Sequence, residues 1–332
     1  MAVLHKYSGA GNDFVVLDGR TEDVSAYRET ARIAALCRQY GTDGLMILTS
    51  DPEYDFRMEF YNPDGSGGMM CGNGGRCITA FADELGLRPA DGRVFRFAAA
   101  DGVHTGEILS RAGGCKTVRL RMIDVREFYP VLDGWFLDTG TRHFVRFVPD
   151  AEAVDVETEG RALRWDPIFA PVGANANFVS VDPDGTLRVR TFEKGVEGET
   201  LACGTGITAS AIAAYLVGLA AESSRRADRN YFSVPEKPIS APLSAAASGT
   251  LAGNRCAPVF ERSEVRISGP AVPGTLAETK SERGLRPQGV AGGGAPFIYN
   301  IQARIARLAV EFRAGEGCFT DVYLTGPADE IR

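Results

Sequence analysis

Two short stretches of this chain combine a cysteine, a glycine-bracketed turn and a run of small residues. The first is Cys71-Gly72-Asn73-Gly74-Gly75-Arg76, continuing into Cys77-Ile78-Thr79-Ala80-Phe81-Ala82. The second is Cys203-Gly204-Thr205-Gly206, continuing into Ile207-Thr208-Ala209-Ser210-Ala211-Ile212-Ala213-Ala214. A Gly-x-Gly elbow lets the backbone come close to a ligand. The helix that each run predicts offers unpaired N–H groups and the positive end of its dipole at the elbow. Such a place binds a carboxylate and favours the thiolate form of a neighbouring cysteine. Two thiols facing one carboxylate-bearing substrate make a two-base site: one takes a proton from carbon, the other returns one on the opposite face. The N–H groups of Gly72, Asn73, Gly204 and Thr205 would then hold the charge that develops on the carboxylate.

The elements around the elbows repeat. Leu4 to Tyr7 and Phe14 to Leu17 read as strands around the turn Ser8-Gly9-Ala10-Gly11-Asn12-Asp13, where Asn12 is either a turn residue or a ligand contact. Thr21 to Tyr40 reads as a helix with Val24, Tyr27, Ala31, Ala34 and Leu36 inward, stopped by Gly41. Cys37 within it reads as a packing residue, and Cys77 as buried and inert. An apolar strand over Gly44 to Thr49, the alternating Phe56, Met58 and Phe60, and the turn Tyr61-Asn62-Pro63-Asp64-Gly65-Ser66 lead to the first elbow. Three further strands are predicted over 94–100, 103–109 and 116–123, the first two joined by the hairpin pair Asp101-Gly102.

The second half follows the same plan. Strands surround Asp138-Thr139-Gly140-Thr141-Arg142-His143, and His143 is either a ligand contact or a structural histidine. Asn175-Ala176-Asn177 opens a strand, Asp182-Pro183-Asp184-Gly185 turns the chain, and Glu193-Lys194-Gly195-Val196-Glu197-Gly198-Glu199-Thr200 precedes Cys203. The elbows lie 132 positions apart, about one domain length, which points to an internal repeat.

From residue 222 to about 297 the composition changes. Eight of the chain's 17 prolines fall in the stretch 222–300, with Ala-Ala-Ala-Ser-Gly and Ala-Gly-Gly-Gly-Ala tracts and little apolar periodicity. It reads as a disordered insertion, with a basic partner-binding arm as the alternative.

The 332 residues suit two domains, and 44% hydrophobic with 24% charged residues suits a soluble globular protein. A net charge of −7 argues against general nucleic-acid binding, and no apolar run reaches membrane-span length. The first residues do not read as a signal peptide. Seven cysteines without paired spacing, and only three histidines, suggest neither a disulfide framework nor a metal site. A reducing cytoplasm is the expected compartment.

The chain resembles the diaminopimelate epimerase family. The resemblance rests on Gly11-Asn12-Asp13-Phe14, Tyr61-Asn62-Pro63-Asp64-Gly65-Ser66, Cys71-Gly72-Asn73-Gly74, Asn175 with Asn177-Phe178, Glu193, Gly198-Glu199-Thr200, Cys203-Gly204-Thr205-Gly206 and Leu324-Thr325-Gly326-Pro327. It covers about 1–221 and 298–332. It implies an α+β fold of two pseudo-symmetric β-barrel-like domains, each around a central helix, with the site between them. The implied first domain is 1–123, joined by a terminal strand 322–332, and the second is 124–321, carrying the insertion 222–297. The implied activity is cofactor-independent interconversion of LL- and meso-2,6-diaminopimelate, in lysine and peptidoglycan precursor synthesis, with Cys71 and Cys203 as the acid–base pair. A small-molecule amino-acid substrate and a homodimer are implied, with no metal.

For the substrate, the resemblance implies contacts from Asn12, Asn62, Gly72, Asn73, Thr141, Asn175, Glu193, Lys194, Gly204 and Thr205. Two of these depart from the family's commonest pattern. Its Gly-Asn-Pro-His is here Gly140-Thr141-Arg142-His143, and its Glu-Arg is here Glu193-Lys194. Arginine grips a carboxylate with two parallel hydrogen bonds and lysine does not. Both changes fall where the far end of the substrate would be read, so the same chemistry on another amino acid is the second reading. A third is a non-catalytic protein whose two thiols form a redox-sensing disulfide.

Overall fold

The computed structural model describes residues 2–67, 71–112, 115–218, 222–223 and 295–331. The chain opens with a hairpin of β1 (His5–Gly9) and β2 (Asn12–Asp18). Its two-residue turn has both φ angles positive, 58° at Ala10 and 98° at Gly11, the sense that matches strand twist. A 3-10 turn over Ser25–Arg28 then precedes helix α1 (Thr30–Tyr40), which Gly41 ends in the left-handed region. The helix is therefore shorter than the predicted 21–40. Asp23 accepts hydrogen bonds from both the amide and the hydroxyl of Ser25, which diverts the chain into the tighter turn. The buried face of α1 is Ile33, Leu36 and Cys37, with Ala31 exposed, and it covers Val15, Leu17, Leu45 and Ile47.

As a crossover helix should, α1 returns the chain to a parallel strand: β3 (Gly44–Thr49) lies parallel to β2. Then come β4 (Phe56–Tyr61), α2 (Gly72–Glu84), β5 (Val94–Ala99), β6 (Gly102–Ala112) and β7 (Cys115–Arg121). The second half has β8 (Phe128–Val131), β9 (Gly134–Asp138), β10 (Arg142–Phe147), α3 (Val156–Arg164), β11 (Asn175–Val181), β12 (Leu187–Glu193) and β13 (Gly198–Thr200). It continues with α4 (Gly204–Leu216), β14 (Glu222–Ser223), β15 (Phe297–Gln302), β16 (Arg307–Gly315) and β17 (Cys318–Glu330).

Strand pairing closes two barrels of eight strands each. The first runs β17, β1, β2, β3, β4, β5, β6, β7 and back to β17. The second runs β8, β9, β10, β11, β12, β15, β16, β17 and closes through the Val125–Phe319 bridge. The parallel contacts recur at matching places: β2 with β3 and β10 with β11, β4 with β5 and β12 with β15. The fold is thus an α+β pair of pseudo-symmetric barrels.

β17 serves both barrels, and its Val322 carbonyl accepts from the Met122 amide (2.8 Å). Residues up to Thr325 pair with β16, and Gly326 onward pairs with β7 and then β1. The switch falls at Thr325-Gly326 inside one unbroken strand. The insertion expected over 222–297 also narrows at its ends, because Glu222–Ser223 pairs antiparallel with Phe297 and Ile298. Its interior, 224–294, lies outside the described residues.

Each barrel is filled by one helix. In α2 every residue from Gly72 to Ala82 is buried, and α4 is buried from Gly206 to Ala214. A helix enclosed on all sides has no polar face, which is why both sequences are rich in small and apolar residues. Three of their hydroxyls bond within the helix: Thr79 to the Gly75 carbonyl (2.7 Å), Thr208 to Gly204 (3.0 Å) and Ser210 to Gly206 (2.8 Å). Phe56, Phe81, Phe95 and Phe97 pack in the first barrel, and Tyr215 meets Phe297, Phe312 and Phe319 in the second. Among the described residues no helix is long and apolar enough to cross a membrane.

Candidate active site

Cys71 and Cys203 occupy the same place in the two barrels. Each is the residue just before its central helix, with φ −103° in both cases and an extended ψ. Their carbonyls accept the first helical hydrogen bonds, from Gly75 (2.7 Å) and Ile207 (2.8 Å). The amides of 72–74 and 204–206 therefore have no acceptor inside the helix. The two helix starts abut. A Cβ built on Gly204 would lie 3.7 Å from Gly72 Cα and 3.6 Å from Asn73 Oδ1. Leu324 of the shared strand lies beneath both, 3.1 Å from that position and 3.6 Å from the equivalent one on Gly72. A side chain at 204 would crowd Leu324, whereas one at 72 would make only ordinary contacts. Asn73 straps them: its Nδ2 donates to the Ala202 carbonyl (3.0 Å) in the other barrel and to Asn12 Oδ1.

Behind Cys203 runs a hydrogen-bonded chain whose direction can be assigned. Asn177 Nδ2 donates to the Phe144 carbonyl (2.9 Å), and its Oδ1 accepts from Thr191 (2.9 Å). The same Nδ2 lies 3.1 Å from His143 Nδ1, a closer approach than that of Asn175 Nδ2 to His143 Nε2 (3.4 Å), so Nδ1 is the nitrogen that accepts. The His143 proton is accordingly on Nε2, 2.9 Å from Thr205 Oγ1 and 2.8 Å from Thr141 Oγ1. Thr205 Oγ1 is in turn 3.4 Å from Cys203 Sγ and 2.9 Å from Thr141 Oγ1. A Thr205 hydroxyl that accepts from His143 has its own proton free for the Cys203 sulfur. His143 is fully buried, and burial pulls it down to about 3, so it stays neutral in this role.

Burial pushes both thiols up, and the nearby Glu193 carboxylate pushes further in the same direction. At Cys71 the amides of Gly74 and Asn73 and the Arg76 charge oppose this. At Cys203 the opposing groups are Thr205 and the Gly206 amide. Glu193 is itself raised by burial, with Asp43 adding to it. A carboxyl raised in the folded state binds protons that the unfolded chain, near its ordinary value of about 4.3, has already released. Stability is then lost as pH climbs from the unfolded value through the folded one. Glu193→Gln is accordingly expected to raise the melting temperature at pH 7 and to leave it unchanged at pH 4. Thermal melts at the two pH values check this, and an unchanged or lower melting temperature at pH 7 would refute it.

A family model described as diaminopimelate epimerase matches residues 4–107 and 135–228, which takes in both elbows. The chain belongs to the diaminopimelate epimerase family. It is an isomerase. A diaminopimelate epimerase of Hydrogenobaculum sp. is 39% identical over 245 residues, spanning 67% of this chain and 85% of its own. One from Chlorobaculum tepidum is 41% identical over 219 residues, spanning 64% and 82%. Among solved structures, a phenazine biosynthesis protein of Bacillus anthracis aligns over 100% of this chain and 97% of its own, with a TM-score of 0.58 at 12% identity. That likeness concerns the fold alone.

Within this epimerase-family site, the predicted residues divide by position. Asn12, Gly72, Asn73, Gly204 and Thr205 meet at the junction of the two helix starts. Asn175 Oδ1 accepts the backbone N–H of Lys194 (2.7 Å), which ties β11 to the end of β12 beside Glu193. The Thr141 hydroxyl bonds Thr205 and His143 at the second elbow. Lys194 has an exposed side chain and takes part through its backbone. Asn62 is engaged in its own turn, donating from Nδ2 to Ser66 Oγ (3.0 Å) and from its amide to the Ser66 carbonyl (2.9 Å). No hydrogen bond joins it to the elbows among the described residues. Arg76, Asp43 and Asn177 belong to the site without having been assigned a role there. Only Asn177 stood in a matched motif outside the elbows; the other two carried no separate signal.

Proposed function

We propose that the chain interconverts LL- and meso-2,6-diaminopimelate with Cys71 and Cys203 as the paired acid and base. The observation that carries this is the meeting of two cysteine-headed helix starts. It supplies two thiols and two sets of unpaired amides around one point. The substrate α-carboxylate would sit between the helix starts, held by amides of 72–74 and 204–206. One cysteine, as thiolate, takes the α-proton and becomes a thiol. The electron pair left on carbon spreads into the carboxylate, where the amides stabilise it. The other cysteine, as thiol, gives its proton to the opposite face and becomes the thiolate. The reverse reaction exchanges the two roles. Thr205 supports the Cys203 thiolate with its hydroxyl, and His143 holds that hydroxyl in the donating orientation. The chemistry would serve lysine and peptidoglycan precursor synthesis, and the names of the relatives support the substrate.

The test is solvent deuterium incorporation at the α-carbon of LL-diaminopimelate, by mass spectrometry under reducing conditions, beside a panel of common L-amino acids. Uptake into diaminopimelate alone is expected. Uptake into another amino acid instead would transfer the same mechanism to a different substrate, with Thr141 and Lys194 as the responsible departures. No uptake from a folded protein with two free thiols would leave the redox-sensing reading.

A further inference from the structure

Among the largest fully buried side chains of the described residues is an arginine. Arg76 lies in the second turn of α2 with no solvent exposure. Its Nη2 donates to Asn73 Oδ1 (2.8 Å) and its Nε to the Pro327 carbonyl (3.3 Å), while Nη1 is buried without a hydrogen-bond partner. No carboxylate forms an ion pair with it among the described residues, although Asp329 contributes to its field. A guanidinium keeps its proton even when burial pulls it down, so this is a fixed positive charge in the core. A buried charge without a paired carboxylate is costly unless something nearby uses it.

Its surroundings indicate what does. The Asn73 oxygen it holds turns the Asn73 Nδ2 toward the Ala202 carbonyl, next to Cys203, and toward Asn12. The Pro327 carbonyl lies one residue past Gly326, where β17 passes from one barrel to the other. A Cβ at Gly326 would lie 3.3 Å from Arg76 Nε, so the strand switch and the guanidinium share one space. In α4 the position equivalent to Arg76 is Thr208, uncharged and bonded within its own helix. The two elbows therefore differ in charge. The first has a cation behind it, and the second has the neutral His143, Thr141 and Thr205.

We propose that Arg76 is a positioning residue of the epimerisation, aiming the Asn73 amide that straps the two elbows and holding a fixed positive charge behind Cys71. This rests on the two-thiol reading above. Other groups bear on the thiols. Glu193 at the end of β12 faces both, backed by Asp43, and each cysteine faces the other. Cys77 on α2 is close to Arg76, with Asp329 of β17 and Asp13 of β2 acting on it. Glu193 acts on both thiols in the same direction, whereas Arg76 favours the thiolate of Cys71. Cys71 is then the more readily ionised of the two thiols, although burial raises both.

Iodoacetamide alkylation of the full-length chain against pH, read by peptide mass, gives the midpoint of each thiol independently of its accessibility. In the wild type Cys71 should titrate below Cys203; the opposite order would overturn the proposal. Arg76→Met should move the Cys71 midpoint up by about one unit or more and lower kcat about tenfold to hundredfold, with KM changed far less. Arg76→Lys should keep the midpoint and still lose kcat, because an ammonium cannot make the forked contacts to Asn73 and Pro327. A folded Arg76→Met with wild-type midpoint and kcat would refute the proposal. If that variant shows no melting transition, the wild-type order and Arg76→Lys decide, and an Arg76→Lys with full kcat would refute it equally. Cys71→Ala in the same assay separates the two levels. If it is active, the two-thiol reading itself fails; if it is inactive while Arg76→Met matches the wild type, only the role of Arg76 fails.

Discussion

Replacing Cys71 or Cys203 by alanine is expected to lower epimerisation by about a thousandfold or more in each case. A single remaining thiol serves one face of the α-carbon, and inversion requires both faces. The loss should fall on kcat rather than KM. The amides that hold the carboxylate belong to 72–74 and 204–206 and survive either change. The fold should survive too. Each sulfur meets only weak donors of its own helix start, so alanine removes little that holds the fold. The check is the rate of meso-diaminopimelate formation beside a thermal melt of each variant. An alanine variant that kept a tenth of the wild-type rate would show that one thiol can be replaced by water or another group, and the paired scheme would fall. The non-catalytic redox reading predicts something different again: no rate to lose in the wild type.

The elbows were readable because their chemistry is local. A cysteine, a Gly-x-Gly turn and a run of small residues within a dozen positions state both the helix and what its start can bind. The hairpin between β5 and β6 is local in the same way, although Ala99 pairs with Gly102, so its two-residue turn is Ala100-Asp101, one position before the expected Asp101-Gly102. What the sequence hid is non-local. Nothing near residue 325 marks it as the place where β17 changes barrels, because that follows from pairing with strands near residues 118 and 309. The spacing of Val24 and Tyr27 imitated a helical face, since both do pack with Ile33 and Leu36, but from a 3-10 turn rather than from α1. His143 and Thr205 lie 62 positions apart in sequence, and the hydrogen bond between them exists only once β10 is set beside α4. Thr141 gave no sign of its hydrogen bond to the second elbow for the same reason. Its partner on the second elbow is 64 positions away.

Gly206→Ala should be damaging, and Gly74→Ala, at the same place in the other elbow, should be mild. Sequence alone treats the two glycines as equivalent, each being third in its helix. A Cβ on Gly206 would overlap Asn177 Oδ1 and lie 3.2 Å from His143 Cε1. Both are buried and fixed: Asn177 by Thr191 and the Phe144 carbonyl, His143 by Asn177 and the two threonines. Neither can yield without breaking the chain that ends at the Cys203 sulfur. Overpacking of this kind costs about 1–3 kcal/mol of stability. A displaced Thr205 hydroxyl is expected to lower kcat about a hundredfold, as misplacement by about 1 Å does elsewhere. A Cβ on Gly74 instead meets Met46 Sδ at 3.1 Å and Met58 Cε at 3.3 Å, the ends of two flexible side chains. These can give by a few tenths of an ångström, because methionine adapts to irregular space. Its kcat should stay within about threefold of wild type, since no polar contact of the first elbow is touched. Urea melts and kcat for the two variants test the pair. Equal damage from both would mean that the glycines are needed only for their backbone freedom. Damage confined to Gly206 would place the sensitivity in the His143–Thr205–Cys203 chain.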